Sequence, residues 1–285
     1  MKHLSIYEPL SKEGGRPKED FFAVSEKYPI YVVADGVTLI QYLIEGKEYP
    51  NPSPAGEIAR IFCEEAVKSA EERFENFSEI DIKEVFRIAN EKAGEFNRQK
   101  GRTKESVDYW DNDFYAATAA LVVIKDGKIY WGSICDSYVM CFDKNGELKF
   151  KSPDCGSKKQ VEGEIFTGDE NNPQEVVKFR WRKRRNTINK EGKLAGYGVI
   201  TGESEALSYI SCGNFLLKDH GLIAVLTDGF ESYMKLPKFV SLLKGWPDNL
   251  ELQIKKFTAE KTLENPKEFD HERTLIIIRN NYATI

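Results

Sequence analysis

The sequence predicts an α+β protein, a four-layer α-β-β-α sandwich of two antiparallel sheets flanked by helices. Three observations predict it. Several strand-like runs, AATAALVV (116–123), LIAVL (222–226) and TLIII (274–278), are apolar at nearly every position, the pattern of strands covered on both faces. Asp126-Gly127 and Asn145-Gly146 each lie between strand-like segments, as in two-residue hairpins, which make antiparallel rather than parallel pairs. Two long amphipathic segments lie between about 55 and 100 and would cover a sheet from outside. Two stacked sheets with helices outside bury both faces of every central strand.

Taken in order, FFAVSE (21–26) and IYVVA (30–34) read as the first strands. After a proline-rich loop at 50–54, Ser53 caps a helix and Pro54 sits in its first turn, positions both residues favour. The helix runs from about 55 to 76, with Ile58, Ile61, Phe62, Ala66, Ala70 and Phe74 at helical spacing. A second helix starts near Asp81, with Glu84 completing a capping box; Ile82, Val85, Phe86, Ala89, Ala93 and Phe96 form its buried stripe. Strands are expected at 116–124, 128–135, 138–142, 147–150, 197–200 and 222–227, helix over about 236–262, and a last strand at Leu275–Arg279. The polar, basic segment 151–195 reads as a variable flap-like insertion in a single domain spanning 1–285.

Composition narrows the function. Net charge is −5, which argues against nucleic-acid binding. The five cysteines are scattered, with no Cys-x-x-Cys pair, which argues against a zinc ribbon or a disulfide framework and for a reducing, cytoplasmic setting. No stretch approaches the roughly 20 apolar residues of a membrane span, so no membrane partner is expected.

The chemistry lies in carboxylates at strand ends: Asp20 before FFAV, Asp35 after IYVVA, Asp136 after YWGSIC, Asp228 after IAVLT and Asp270 before TLIII. Neither Asp35-Gly36 nor Asp228-Gly229 is followed by a returning strand of matching pattern, so a hairpin does not explain them. If these ends meet at one edge of the sandwich, like charges gather, and a hard divalent cation is the simplest compensation. Gly36 would let its carbonyl approach such an ion.

In the order GRPKEDFFAV, VVADG, ATAALVV…IYWGSICDS, LAGYGVITGE, LTDGFE and DHERTLIII, the chain resembles the metal-dependent, type-2C (PPM) serine/threonine protein phosphatases. The resemblance covers about 16 to 279. It implies an α-β-β-α sandwich and a dinuclear Mn²⁺ or Mg²⁺ centre, with a possible third ion. It implies hydrolysis of phosphoserine and phosphothreonine in phosphorylated protein substrates by a metal-bridging hydroxide. Position by position, it implies Asp35 as the bridging ligand, Gly36 as a carbonyl ligand, Asp228 and Asp270 as ligands of the first metal, and Asp136 for a weaker third ion. Glu19 and Asp20 would hold metal-bound waters, and Arg16 would fork onto the substrate phosphate.

The chain departs from the family pattern in places. Val37 stands where some relatives carry a histidine general acid, so the leaving alcohol would take its proton from metal-bound water. Lys18 replaces a frequent Asn, Arg16 lies one residue nearer Asp20 than usual, and Cys135 replaces the glycine before Asp136. The closing motif puts His271 where an aspartate is usual; a one-residue bulge would let Asp270 serve, with Glu272 the alternative. These departures motivate a second expectation, a catalytically impaired pseudophosphatase acting as a binding module. Hydrolysis of a small phosphate ester is a third. The run KFRWRKRRN (178–186) carries six basic residues and reads either as a solvated strand edge or as a basic flap that steers acidic substrates.

Overall fold

A computed structural model describes residues 1–10, 16–154 and 166–280. Gly15, Cys155 and the stretch 155–165 of the expected flap lie outside the described residues. In chain order the elements are β1 (Lys2–Glu8), β2 (Asp20–Val24), β3 (Ile30–Gly36), α1 (Ile40–Glu45), α2 (Pro54–Asn76), α3 (Ile82–Gln99), β4 (Ala117–Lys125), β5 (Lys128–Ile134), β6 (Tyr138–Phe142), β7 (Leu148–Lys151), α4 (Pro173–Arg184), β8 (Ser211–Leu216), β9 (Leu222–Leu226), α5 (Glu231–Met234), α6 (Pro237–Gly245), α7 (Leu250–Glu264), α8 (Pro266–Phe269) and β10 (Arg273–Arg279).

Two five-stranded sheets result, in the orders β2-β3-β4-β5-β8 and β1-β10-β9-β6-β7. Every pairing is antiparallel. Strand alternation builds the layers. On β3 and β4, Ile30, Val32, Ala34, Ala119, Leu121 and Val123 face α2 and α3 and meet Ile58, Phe62 and Phe86. Their neighbours Tyr31, Val33, Ala120 and Val122 face the second sheet and meet Val139, Val225, Ile276 and Ile278. On the far side of the second sheet, Met140, Ala224, Leu226, Leu275 and Ile277 pack on Phe230, Phe239, Leu243 and Ile254 of the closing helices. Each large buried aliphatic side chain contributes roughly 1.5–3 kcal/mol, so the central strands tie all four layers together. The expected α-β-β-α sandwich is present.

The helix starts follow the capping signals. The Ser53 hydroxyl accepts from the Gly56 amide at 3.5 Å, and Asp81 accepts from the Glu84 amide at 3.1 Å. Other elements differ from expectation. The basic run at 178–186 is not a strand edge: it forms most of α4, because Asn172 caps the turn and Pro173 opens it. Residues 197–200 make only isolated bridges, Arg185 with Tyr197 and Ala117 with Ile200. The helical stretch after 236 is two helices, separated where Trp246 adopts φ +48° before Pro247. The edge strands β1 and β8 and the short α1 carry no strong pattern of their own.

Candidate metal centre and substrate cleft

The register places Asp20 opposite Asp35, and Asp35 opposite Thr118. The end of β5 then delivers Asp136 to the same edge. Cys135, just before it, has φ +62°, the left-handed conformation that glycine adopts without cost. That explains the glycine of the family pattern; here the strain falls on a buried cysteine.

The second sheet brings the other acids. Thr227 follows β9, and its hydroxyl donates to Asp20 Oδ2 at 2.8 Å while accepting from the Thr274 amide at 2.9 Å. Asp228 follows directly. From the start of β10, Glu272 Oε1 accepts from the amides of Glu19 at 2.9 Å and Asp20 at 3.1 Å. These bonds lace the two sheets together at the acidic edge. They also fix β2 relative to β9 and β10.

The charges acting on these acids come largely from one another. Burial raises the Asp35 carboxyl well above the ordinary range, and the charges of Asp20, Asp228 and Asp136 add to it. Asp20 is pushed up to about 7, first by burial and then by Glu272, against the hydrogen bond from Thr227. Asp136 is raised chiefly by burial. Asp228 is raised by loss of solvent and by Asp136, although its side chain reaches the solvent-facing rim, where water screens part of the repulsion. No Lys or Arg appears among the principal charges acting on these four. Glu19 differs: burial raises it, but it accepts from Tyr49 Oη at 2.6 Å and Ser53 Oγ at 2.7 Å and lies 3.7 Å from Arg16.

The predicted site residues thus fall into two groups. Asp20, Asp35, Asp136 and Asp228 converge. Arg16 stands beside them but is held by Glu19 and by the Thr38 hydroxyl. Asp270 is half-buried after α8 and its charge reaches Tyr233; in the segment 270–272 it is Glu272 whose charge bears on Asp20. His271 is exposed, with its ring against the Lys267 carbonyl. At Gly36, a Cβ would stand 2.6 Å from the Ala55 carbonyl carbon and 2.8 Å from the Gly56 nitrogen. Close approach of α2 is therefore one reason for glycine there.

A cleft of about 360 Å³ opens over Asp35, Thr118 and Asp136. Val37, Thr38 and Tyr197 form part of its wall, and α4 adds Val177, Arg180 and Trp181. Arg180 and Trp181 are functional candidates that the sequence presented only as part of a basic run. Arg185, at the end of α4, explains their placement. It is buried and makes two 2.7 Å bonds to Asp113, which anchor the helix beside the cleft. None of the three histidines lines this cleft.

As a test of fit, the donor set is all hard oxygen, the ligand type of Mg²⁺ and Mn²⁺. The uncompensated repulsion among four carboxylates suits a cation. Among the described residues, however, no group of three His, Cys, Asp or Glu side chains is arranged to hold an ion as they stand.

Comparison with known proteins decides the family. The family model for protein phosphatase 2C matches residues 11–264. The chain belongs to the protein phosphatase 2C family. Its members are phosphoprotein phosphatases, and the four-layer sandwich is theirs. Among solved structures, the serine/threonine phosphatase Stp1 from Staphylococcus aureus is similar at 12% identity and a TM-score of 0.56, covering 98% of this chain and 94% of that one. The Mycobacterium tuberculosis serine/threonine phosphatase PstP/Ppp is similar at 11% identity and a TM-score of 0.54, covering 97% of each chain. A catalytic domain of PstP solved in complex with two manganese ions is similar at 11% identity and a TM-score of 0.53, covering 97% of this chain and 96% of that one. No curated protein sequence matches. No helix is long and apolar enough to cross a membrane among the described residues.

Proposed function

We propose that the chain hydrolyses phosphoserine and phosphothreonine in protein substrates at a dinuclear Mn²⁺ or Mg²⁺ centre. The observation that carries this reading is the convergence of Asp20, Asp35, Asp136 and Asp228 from both sheets onto one edge, where the leading charges acting on them are one another's and those of other nearby carboxylates. Asp35, Asp136 and Asp228, with the Gly36 carbonyl and an acid of 270–272, would hold the ions, and Asp20 and Glu19 would orient water beside them. Two divalent cations, when bound, would supply a nucleophile at neutral pH and polarise the phosphoryl group.

The chain's own residues do the rest. Thr227 and Glu272 hold β2 against the second sheet, so the carboxylates keep their spacing. Arg180 reaches the cleft from α4, where its guanidinium fork suits phosphate oxygens, and Arg16 offers a second cation once it leaves Glu19. Trp181 and Tyr197 wall the cleft against water. Attack on phosphorus breaks the P–O ester bond and releases the Ser or Thr alcohol and inorganic phosphate.

The test is phosphate release from a phosphothreonine peptide with Mn²⁺, with Mg²⁺ and with chelator. Release that survives chelation, or survives Asp35→Asn, overturns the proposal. The second reading, a catalytically impaired binding module, draws on the ion-holding arrangement that the described residues lack. It is favoured if calorimetry detects no Mn²⁺ uptake at millimolar concentration.

A further inference from the structure

A second concavity, about 510 Å³, lies between the β6–β7 hairpin and α6. That size suits a small ligand or a few side chains. Its apolar surface comes from Met140, Phe142, Leu148, Met234, Pro237 and Val240. Leu148 is 51% exposed, and among the described residues β7 is the edge strand of its sheet, the kind of strand on which an extended chain can add.

The charges around it are Lys151, Lys235, Lys244 and Glu231. Glu231 is shared by Lys151 at 2.8 Å and Lys235 at 2.9 Å. One carboxylate against three ammonium groups leaves the rim positive in a chain whose net charge is −5. Glu231 also marks where the groove meets the catalytic edge: it lies within one turn of Asp228, and its charge acts on the Asp228 carboxyl.

We infer that this groove docks an extended acidic segment of the substrate protein, with one or two large apolar side chains seated on Leu148 and Pro237 over the buried Met140, Phe142 and Val240, and carboxylates on the lysine rim. The inference rests on the phosphatase reading for the identity of the partner. A chain in the groove can continue past Glu231 and present its phosphorylated residue to the carboxylate cleft. Selectivity then comes from sequence beside the phosphorylated residue, away from the reacting atoms.

Binding is tested apart from turnover. Fluorescence anisotropy with the full chain would use an unphosphorylated, fluorescein-labelled peptide carrying leucines among Asp and Glu. Its controls are the same peptide with Lys and Arg in place of the acids, and an acidic peptide with the leucines replaced by serine. The acidic, leucine-bearing peptide should bind best. Leu148→Asp, and separately Lys235→Ser with Lys244→Ser, should each weaken it about tenfold, on the scale of losing an anchor or its steering charges. These side chains lie on the surface, so the fold should persist, and matching circular dichroism checks it. Equal binding of the three peptides, or unchanged affinity in both variants, overturns the inference. Phosphate release from the phosphothreonine form of the same peptide separates the two readings. Discriminating binding without release keeps the groove and removes the phosphatase.

Discussion

Replacing Asp20 by Asn should make the cation-free protein more stable, against the usual effect of changing a buried residue. The Asp20 side chain is 2% exposed, and its carboxyl is raised from 3.8 to about 7. The folded state therefore binds the proton more tightly than the unfolded chain. The stability belonging to this group is fully present below about pH 4 and is lost as pH rises through about 7. Relative to a side chain that is always neutral, the acid costs up to about 4 kcal/mol at pH 8, about 2 at pH 5.5 and well under 1 at pH 4. Asn keeps an acceptor for Thr227 and does not repel Glu272 or Asp35. Relaxation and water entry reduce the gain, so about 2–3 kcal/mol at pH 8 is expected, or roughly 3–5 °C in Tm for a chain of this size. The assay is thermal unfolding by circular dichroism in excess chelator at pH 5.5 and pH 8. Adding Mn²⁺ should reverse the order, because the wild type alone keeps the Asp20 charge that would hold the ions' bound water. If the Asn variant is the less stable protein at pH 8 in chelator, the carboxylates are not in conflict and the argument for a cation fails.

Four further outcomes are expected. Arg180→Ala should raise KM for a phosphothreonine peptide about tenfold and leave kcat within a few-fold, the loss of one charge-assisted contact to phosphate; steady-state kinetics check it. Glu272→Ala should weaken Mn²⁺ binding about tenfold more than Asp270→Ala in calorimetry, because Glu272 sets the position of Asp20 by accepting from the Glu19 and Asp20 amides. Gly36→Ala should cost about 2–3 kcal/mol in urea unfolding, since its Cβ meets only backbone of α2. Asp113→Ala should cost about 3–5 kcal/mol by leaving Arg185 buried without its partner, and proteolysis should then cut α4 first.

Much of the fold was legible because its signals are local. The runs of β4, β9 and β10 are apolar on both faces, and only a sheet packed between two layers accounts for that. Two of the three Asp-Gly pairs separate on the same grounds. Asp126 and Gly127 both have positive φ, +50° and +72°, and turn the chain from β4 into β5. Asp35 and Gly36 remain inside a strand, paired with Thr118 and Ala117. What was not legible depends on partners distant in sequence. β1 is a half-exposed edge that forms because β10, more than 260 residues away, offers it a seven-residue ladder. In α4 the alternation of KFRWR matches a strand, yet the preceding Asn172-Pro173 fixes the first helical turn, and the buried Arg185–Asp113 pair fixes the last.

The same division runs through the site. Asp20, Asp35, Asp136 and Asp228 each end or begin a strand, so a sequence can present them as a set. Glu272 acts differently: one oxygen of its carboxylate accepts from the amides of Glu19 and Asp20 at the start of β2, and only the closure of β10 beside β9 brings it there. A motif comparison fixes its attention on position 271 or 270, because it counts residues along the chain. The structure counts hydrogen bonds across the gap between the sheets, and by that count residue 272 governs where the Asp20 carboxylate stands. The ligand assignment at this end of the site therefore turns on which of Asp270 and Glu272 responds when Mn²⁺ is titrated, and a larger response from Asp270 would mean that the β2 tie is structural alone.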